Sequence, residues 1–294
     1  MIYIRIKGGL GNQMFQYALG YYLKSKTGNT LCLDYSLLKT NEIIKKVRLK
    51  KGFTPRKAML EYFFIDEHKV RCSILTIIID WILQKIFGKG FTGKSIAPIV
   101  QEKGNCRDNN SISFDSISDN DNVIICGYWQ NIDYIEPIKQ ELSRQFQINI
   151  ETDSNYKKIL YAIKECESVG VHIRRGDYVA LGWAKNETYY KNAINNSIDA
   201  IPNAHFFFFS DDIDWVKQKL SVNQDDVYVT IAGVNADLQE FALLMNCKHQ
   251  IISDSTFGWW AAYLNPYKQK KVFIPYDVLG NIWPKEWERI QYSI

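Results

Sequence analysis

Short apolar runs alternate with helically periodic stretches along most of the chain. The apolar runs predict strands at 1–6, 31–34, 123–126, 169–171, 205–210, 226–231 and 249–252, with a last strand at 270–275. The periodic stretches predict helices at 14–22, 133–146, 189–200, 214–220 and 237–245. Strands and helices that alternate in this way are typical of α/β proteins with parallel sheets, whose ligands bind at the carboxyl ends of the strands.

The chain of 294 residues is longer than a usual single domain, so two domains are expected. Between residues 149 and 156 the sequence turns polar and loses its periodicity. We therefore predict an N-terminal domain at 1–150 and a C-terminal domain at 151–294. Residues 40–70 are rich in lysine and weakly periodic, and no element is predicted there.

Composition narrows the class of protein. The net charge of +4 suits a phosphate-bearing partner but is far below the basic excess of a nucleic-acid-binding protein. The six cysteines show no spacing typical of metal sites, and most lie beside apolar residues, which favours reduced thiols and a cytoplasmic location. The N-terminus has no charged segment followed by an apolar one, so no signal peptide is predicted.

One apolar stretch, at 73–87, has an unusual pattern. Its polar residues Thr76, Asp80 and Gln84 recur every four positions and would form one narrow stripe on a helix. Because the stretch is short and carries a central charge, it is not predicted to span a membrane. The favoured interpretation is that it packs in a groove of its own domain. The alternative is a peripheral contact with a partner or with the inner face of a membrane, and the basic residues that precede it are compatible with an anionic surface.

Three glycines in four positions follow the first predicted strand, in the segment GGLGNQMFQ (8–16). Small residues let a ligand approach the backbone, and the amides at the start of the next helix point toward it. The spacing is neither G-x-G-x-x-G nor the P-loop pattern, so it does not predict binding of a nicotinamide dinucleotide or ATP by those motifs. The strand at 123–126 is followed by GYWQ (127–130), whose aromatic and amide side chains could face a sugar.

Polar and charged residues follow three predicted strands of the C-terminal half. They are HIRRGDY (172–178), FSDD (209–212) and SDST (253–256). Arginine offers a planar set of donors that matches phosphate oxygens, and a carboxylate can accept the N–H groups of a guanine edge. Together the three strand ends predict a site for a nucleoside diphosphate. The alternative for the first motif alone is a surface Arg–Asp ion pair beside a hydrogen-bonded histidine.

These motifs, in this order, resemble the α-1,2-fucosyltransferases of glycosyltransferase family 11. The resemblance covers most of the chain except 40–115 and rests on the segments 8–16, 127–130, 172–178, 209–212 with Trp215, and 255–260. It implies an α/β fold of the GT-B type, with two Rossmann-like domains facing each other across a cleft. The implied enzyme is an inverting galactoside 2-α-L-fucosyltransferase that moves L-fucose from GDP-β-L-fucose, held by the C-terminal domain, to the 2-hydroxyl of a galactose in a glycan acceptor. The resemblance implies no metal and no other cofactor.

The resemblance also assigns roles to individual residues. Arg174 is expected on the phosphates of GDP, and Arg175 either assists it or anchors the loop. The other expected donor contacts are Asn12, Gln13, His172, Asp211, Asp212, Ser255 and Thr256, and the expected acceptor-side residues are Tyr128, Trp129 and Gln130. Three positions depart from the family pattern, because Asp254 replaces Asn, Gly258 replaces Ser and Tyr263 stands where Trp is more usual.

Arg174 and Asp177 are the predicted catalytic residues. As GDP leaves with growing negative charge, a preorganised cation beside its oxygens lowers the barrier. Three roles are open for Asp177: the base that accepts the proton of the acceptor hydroxyl, a residue that orients the base, or a structural partner of Arg174.

Two other functions fit parts of the same sequence. Asp212 and Asp214 form a D-x-D pattern that would serve a metal-dependent nucleotide-sugar transferase of another specificity. The aromatic residues, 14% of the chain, would suit a non-catalytic glycan-binding protein. Activity in EDTA separates the first alternative from the predicted enzyme, and affinity for GDP separates the second.

Overall fold

The computed structural model describes residues 1–39, 56–65, 68–69, 74–93, 96–103, 114–119, 121–220 and 222–293. Ser73 and two of the six cysteines, Cys72 and Cys106, lie outside these ranges. Within them the cysteines are free thiols, namely Cys32, Cys126, Cys166 and Cys247. No helix in these ranges is both long enough and apolar enough to cross a membrane.

The chain forms two compact units. Unit 1 comprises Met1–Gln147 and the short segment Leu279–Ile282, whereas unit 2 comprises Ile148–Val278 and Trp283–Ile294. The first change of unit therefore lies between Gln147 and Ile148, near the polar stretch at 149–156. Nothing in the sequence pattern indicates that Leu279–Ile282 returns to unit 1.

Unit 1 is built on a six-stranded sheet with the strand order β3-β2-β1-β6-β5-β4. Its strands are β1 (Ile2–Arg5), β2 (Leu31–Asp34), β3 (His68–Lys69), β4 (Lys89–Phe91), β5 (Ile96–Gln101) and β6 (Val123–Cys126). Its α-helices are α1 (Leu10–Thr27), α2 (Ile74–Phe87) and α3 (Lys139–Gln145), and 3₁₀ turns span Leu60–Tyr62, Ile132–Tyr134 and Glu136–Ile138. Neighbouring strands run parallel except β4, which pairs antiparallel with β5.

Helix α1 lies directly against the middle of this sheet. A Cβ atom on Gly20 would come within 2.6 Å of Ile4 Cγ1 and 2.7 Å of Leu31 Cδ1, so only glycine permits this approach. The helix ends at Gly28, which takes the left-handed conformation at φ +68° and donates its N–H to the Lys24 carbonyl. This packing fixes the start of α1 directly after the glycine loop, where β1 ends.

Unit 2 contains a second six-stranded sheet, with the order β12-β11-β10-β7-β8-β9 and parallel pairing throughout. Its strands are β7 (Glu167–Ile173), β8 (Ala204–Ser210), β9 (Val227–Val229), β10 (His249–Ile252), β11 (Val272–Pro275) and β12 (Glu288–Ile290). Its helices are α4 (Ser154–Glu165), α5 (Gly176–Leu181), α6 (Glu187–Ala200), α7 (Ile213–Lys219), α8 (Ala236–Asn246) and α9 (Thr256–Leu264).

The core of unit 2 follows from the apolar composition of its central strands. The last six residues of β7 are buried, and so are the four phenylalanines 206–209 of β8. Parallel strands that are covered on both faces need such unbroken apolar runs, since neither face meets water. Tyr189 and Tyr190 of α6 are fully buried in the same core.

Three sequence predictions about elements are wrong in detail. The helix predicted at 133–146 is two 3₁₀ turns followed by α3, because Pro137 cannot donate to a regular helical ladder. The residues after the arginine pair form the short helix α5 rather than an open loop. The strand at Val272–Pro275 is not the last, since β12 pairs with it in parallel. Only three residues long, β12 carries two charged side chains and gives no apolar signal.

Candidate functional site

Three adjacent strands of unit 2 end where the sequence predicts the nucleotide site. In the register of the sheet, His172 of β7 pairs with Ile252 of β10, and Ile173 pairs with Ser210 of β8. The residues that follow these strands therefore leave the sheet side by side. The convergence of the three polar segments predicted from the sequence is confirmed.

Arg174 is held by two carboxylates at this edge. Its Nη1 lies 2.7 Å from Asp211 Oδ2, and its Nη2 lies 2.6 Å from Asp177 Oδ1. The guanidinium also lies 5.7 Å from the centre of the Tyr178 ring. The two ion pairs fix the direction of the Arg174 side chain. Because 26% of the side chain is exposed, solvent can still reach it.

The Arg175 side chain contacts a different set of residues. Its Nε donates to Asp212 Oδ2 at 2.9 Å, and its guanidinium lies over the Trp215 ring at 4.0 Å from the ring centre. Asp212 also accepts the N–H of Trp215 and so caps helix α7. These contacts make Arg175 an anchor of the loop, which is one of the two roles that the sequence left open.

Asp211 connects the two arginines through the backbone. Its Oδ1 accepts the N–H of Arg175 at 2.8 Å while its Oδ2 binds the Arg174 side chain. A Cβ atom on Gly176 would lie 2.7 Å from Asp211 Oδ2, so the glycine of the motif leaves room for this carboxylate. The same close approach explains why α5 can begin directly after the arginines.

His172 is buried beneath the arginines rather than open to a ligand. Its ring stacks on Phe257 at 5.3 Å between ring centres, and its Nδ1 lies 3.3 Å from Ser253 Oγ. Burial, with a smaller contribution from the Arg174 charge, lowers the pKa of His172 to about 3. The imidazole is therefore neutral near pH 7, and its role here is to support the strand ends.

Helix α9 begins immediately after β10, at the same edge. Ser255 is its N-cap residue, and the N–H of Trp259 donates to the Ser255 carbonyl at 2.9 Å. The positive end of the helix dipole therefore lies at the edge where the arginines emerge. A Cβ atom on Gly258 would lie 2.7 Å from His172 Nδ1, which gives a physical reason why glycine, and not the serine of the family pattern, stands here. Tyr263, the other departure in this helix, stacks on Trp259 at 4.6 Å.

Two residues in helices of unit 2 were not indicated by any recognisable sequence signal. Tyr189 of α6 donates its hydroxyl to the carbonyls of Ile252 at 2.6 Å and Phe273 at 3.2 Å, so it holds the ends of β10 and β11. Burial raises the pKa of Glu240, on α8, to about 7, and the neighbouring charges of Asp237 and Asp211 act in the same direction. Both residues lie in helices whose pattern indicates only a packing face.

In unit 1, the residues predicted to bind ligands surround the ends of β1 and β6. Ile4 of β1 pairs with Ile125 of β6, so the glycine loop and the segment 127–130 lie side by side. Gln130 Nε2 donates to Asn12 Oδ1 at 3.0 Å, and Lys7 Nζ lies 4.2 Å from the centre of the Tyr128 ring. These partly exposed side chains are the polar surface that this edge offers to a ligand.

Gln13 and Gln16 are buried and hold the backbone of the glycine loop. Gln13 donates to the carbonyls of Gly8 and Lys57 and accepts the N–H of Met59. Gln16 accepts the N–H of Lys7 and donates to the carbonyls of Lys7 and Gly127. The carboxamide of Gln13 is thus engaged by the backbone, which argues against the donor contact predicted for it.

Trp129 is also buried, at a backbone angle that is rare for a residue with a side chain. Its φ is +58°, and its side chain is 3% exposed. The carboxylate of Glu102 holds this turn by accepting the N–H of Tyr128 at 2.6 Å and that of Trp129 at 2.9 Å. Of the three residues predicted on the acceptor side, Tyr128 and Gln130 are partly exposed, whereas Trp129 packs inside the unit. The sequence did not indicate Glu102, which lies in a stretch that reads as a polar loop.

Of the D-x-D pattern, Asp212 is engaged by an arginine. Asp212 binds Arg175, and the neighbouring Asp211 binds Arg174. In the part of the chain that the structure describes, no group of three His, Cys, Asp or Glu side chains is placed to hold a metal ion. The carboxylates at this edge therefore serve to orient arginines.

Comparison with known proteins places this site in a family. The sequence profile of Glycosyl transferase family 11 matches residues 98–279, which include the three polar strand ends of unit 2. An alpha-1,2-colitosyltransferase of Escherichia coli is 32% identical over 91% of this chain and 88% of its own length. The chain belongs to glycosyltransferase family 11.

Two other relatives and one solved structure extend the comparison. The Escherichia coli O-antigen biosynthesis glycosyltransferase WbnK is 27% identical over 93% of this chain and 93% of its own. The galactoside 2-alpha-L-fucosyltransferase Sec1 of Mus musculus is 23% identical over 90% of this chain and 64% of its own. A structure of Arabidopsis thaliana FUT1 in complex with GDP covers 99% of this chain and 76% of its own at 11% identity, with a TM-score of 0.50. The family 11 chain thus has the predicted fold of the GT-B type, with two Rossmann-like units.

Proposed function

We propose that this family 11 enzyme is an inverting galactoside α-1,2-fucosyltransferase. It transfers L-fucose from GDP-β-L-fucose to the 2-hydroxyl of a galactose in an oligosaccharide or polysaccharide-repeat acceptor. The acceptor oxygen attacks the anomeric carbon, the bond from that carbon to the β-phosphate oxygen breaks, and GDP leaves with the electron pair. The observation that carries the proposal is the arginine pair, oriented by three carboxylates, at adjacent strand ends of unit 2.

Arg174 stabilises the leaving diphosphate. Its two ion pairs hold the guanidinium in one orientation before substrate binds, so little reorganisation is needed when charge develops on the phosphate oxygens. The dipole of α9, whose N-terminus lies at the same edge, favours the same negative charge. Ser255 and Thr256 begin that helix and belong to the proposed phosphate site.

Asp177 takes the place of a phosphate oxygen until the donor binds. Two arginines face three carboxylates in this cluster, so one carboxylate must give way before an anion gains a full interaction. Asp177 is the most exposed of the three, with 44% of its side chain accessible, and it lies only three residues from Arg174. When the phosphate replaces it, the released carboxylate is available to orient or accept the proton of the acceptor hydroxyl.

The reaction proceeds without a divalent cation. The positive charge that a metal would contribute at the diphosphate is supplied by Arg174 and the α9 dipole. Asp212 of the D-x-D pattern and the neighbouring Asp211 contribute by orienting the arginines. The glycan acceptor meets the polar surface of unit 1 formed by Asn12, Tyr128 and Gln130.

A second donor is favoured by one specific observation. The relative that is 32% identical over most of both chains is named for colitosyl transfer, with the same α-1,2 linkage. Colitose lacks the 3-hydroxyl of L-fucose, so both donors present the same nucleotide and the same anomeric centre. The arginine site serves either sugar, and the choice between them depends on contacts to that hydroxyl.

A transfer assay tests the proposal. Purified enzyme is incubated with GDP-fucose or GDP-colitose and with lactose or N-acetyllactosamine, in buffer with EDTA, and the product linkage is read by NMR. We expect an α-1,2 linked product with at least one donor and undiminished activity in EDTA. Loss of activity in EDTA that Mg²⁺ restores would support the metal-dependent alternative. Calorimetry that detects no binding of GDP at millimolar concentration would support a glycan-binding protein instead.

The Asp177→Asn variant separates the roles of this carboxylate. If Asp177 only occupies the phosphate position, the variant binds GDP more tightly and keeps its turnover number. If Asp177 also handles the proton, GDP binding still tightens but kcat falls by about 10²-fold or more. Weaker GDP binding by the variant would contradict both roles.

A further inference from the structure

Helix α2 is oriented in unit 1 by a buried ion pair. Asp80, in the middle of the helix, binds Arg5 Nη2 at 2.5 Å and accepts the N–H of Phe91 at 2.7 Å. Arg5 is 2% exposed and also binds Asp34 at 3.3 Å, so the pair lies inside the unit between β1, β2 and α2. Gln84, one turn after Asp80, donates to the same carboxylate at 2.5 Å. Asp80, the central residue of the polar stripe predicted from the sequence, therefore faces the inside of the unit, whereas Gln84 is exposed and reaches the Asp80 carboxylate with its amide.

The apolar side of the helix consequently faces outward. We call it the outer face of α2, and it consists of Leu75, Ile78, Trp81, Ile82 and Ile86. The exposed fractions of these five side chains range from 40% to 66%. A surface helix ordinarily directs its apolar residues to the core and its charges to water, and α2 does the reverse. An apolar patch of this kind marks a contact with another surface.

The charge of the segment that contains α2 indicates what kind of surface would cover the outer face. Lys85 lies on the exposed side with its Nζ 4.4 Å from the centre of the Trp81 ring, and Lys89 follows the helix. Residues 39–94 contain thirteen Lys and Arg against five Asp and Glu, a net charge of +8, although the whole chain carries only +4. The rest of the molecule is therefore net negative, and the basic charge is concentrated in the segment that contains α2.

We propose that the outer face of α2 docks this enzyme on an anionic lipid bilayer, as a helix that lies in the plane of the interface. The five apolar side chains of the outer face enter the boundary of the acyl chains, while Lys85 and Lys89 bind lipid phosphates and the net positive charge of the segment 39–94 attracts the anionic surface. Trp81 and Lys85 suit the boundary between acyl chains and headgroups, since both side chains carry an apolar body with a polar or charged tip. At 14 residues, the helix is too short to span the membrane.

Charge favours this occupant over a second copy of the chain. A dimer formed through α2 would bring two segments of net charge +8 together, whereas anionic headgroups neutralise the same charge. Asp80, the one acidic residue of the helix, is paired with Arg5 and turned inward, so it does not repel the lipid. The inference does not depend on the donor or acceptor of the enzyme, because no residue of the proposed active site belongs to α2.

Binding to lipid vesicles tests the inference. Vesicles of equimolar phosphatidylglycerol and phosphatidylcholine are sedimented with the full chain and compared with vesicles of phosphatidylcholine alone. We expect the wild-type enzyme to bind the anionic vesicles, and the bound fraction to fall as salt is raised. Ile78→Glu and Ile82→Glu each place a charge on the outer face and should reduce binding by about tenfold or more. Lys85→Gln, which removes one positive charge, should reduce it about fivefold.

Val234→Glu is the matched control. Val234 is 80% exposed in unit 2, so the substitution introduces the same charge at an apolar surface residue away from α2. We expect this variant to bind the vesicles as the wild type does. The melting temperatures of all variants should equal that of the wild type, because the substituted side chains are exposed, and a lowered value would exclude that variant from the comparison. Vesicle binding of the remaining α2 variants is then compared with that of the wild type.

Three results would overturn the inference. The first is failure of the wild-type enzyme to bind anionic vesicles at low salt. The second is binding by folded Ile78→Glu and Ile82→Glu variants that equals wild-type binding. The third is a wild-type dimer in solution that these two variants convert to a monomer, without any vesicle binding by the wild type, which would show that a second copy covers the outer face.

Discussion

The two units each place a ligand-facing loop after a central strand, but they hold these loops by different means. In unit 2 the loop after β7 is held by ion pairs of Arg174 and Arg175 with three partly exposed aspartates. In unit 1 the loop after β1 is held by the buried carboxamides of Gln13 and Gln16. The turn beside it, after β6, is held by one carboxylate, Glu102, which accepts two backbone N–H groups.

Under the proposed function, the difference reflects the ligand that each edge binds. A site for a diphosphate needs cations that remain reachable, so the charges that fix the loop also face the ligand. A site for a neutral glycan needs only a stable backbone with a few donors and acceptors, and buried amides provide that without attracting anions. We therefore expect substitutions in unit 2 to act mainly on catalysis and those in unit 1 to act mainly on stability.

Among the substitutions that test this comparison, Arg174→Ala should have the largest effect, which is a loss of kcat. Loss of one preorganised contact to developing charge typically costs about 2.7–4 kcal/mol, or roughly 10²–10³ in kcat. The melting temperature should change little, because the side chain is partly exposed and its ion pairs are screened by solvent. Steady-state kinetics with the nucleotide-sugar donor and a thermal melt check the two halves of this prediction.

Arg144→Ala is a suitable control for Arg174→Ala. Arg144 forms an ion pair with Glu141 on α3 of unit 1 and is 76% exposed. Its removal should leave kcat and melting temperature unchanged. If Arg174→Ala retained nearly normal turnover, or if its main effect were unfolding, the contrast between a catalytic loop and a structural loop would fail.

Glu102→Gln should show the opposite signature in unit 1. A glutamine offers one carbonyl where glutamate offers two acceptor oxygens, so either the Tyr128 or the Trp129 N–H loses its acceptor. An unsatisfied donor at a partly buried turn costs about 1–3 kcal/mol. We expect the melting temperature of unit 1 to fall by about 2–4 °C per kcal/mol, with GDP affinity unchanged. Glu136→Gln, at a side chain that is 51% exposed, should shift neither.

The pH dependence of stability provides a last test, which concerns the loop of unit 2. Burial lowers the pKa of His172 to about 3 from its ordinary 6.5, so between these values the unfolded chain binds a proton that the native chain does not. Stability should therefore fall as pH drops below 6.5, by about 1.4 kcal/mol per pH unit until the pKa of the folded state is reached. Denaturant titrations across this range should show a shallower slope for His172→Gln. Equal slopes would mean that His172 is protonated in the native enzyme.

The elements that position the sites could be predicted from the sequence because their signals are local. The phenylalanine run of β8 and the arginines after β7 reveal a buried parallel strand and a polar strand end without any tertiary information. The three polar segments could be brought together because parallel strands that alternate with helices end at a common edge. The family motifs then predicted that this edge binds GDP.

The residues that the sequence did not predict depend on contacts between distant segments. Glu102 is identified only by the N–H groups of Tyr128 and Trp129, which lie 26 and 27 residues away. Gln13 belongs to a motif that suggests a ligand, but its amide is used by Lys57 and Met59 in another part of the chain. The sequence pattern did not predict which side of helix α2 faces the inside of unit 1. That orientation depends on the ion pair between Asp80 and Arg5, which lies 75 residues earlier.

The return of Leu279–Ile282 to unit 1 has a consequence for dissecting this enzyme. The chain passes between the units three times, so no single cut yields two complete pieces. A fragment ending at Gln147 would lack Asn281, whose Nδ2 donates to Asn131 Oδ1 at 2.8 Å beside the acceptor-side turn. Chimeras that exchange unit 1 between relatives therefore need three junctions, with this tetrapeptide taken from the same parent as the N-terminal half.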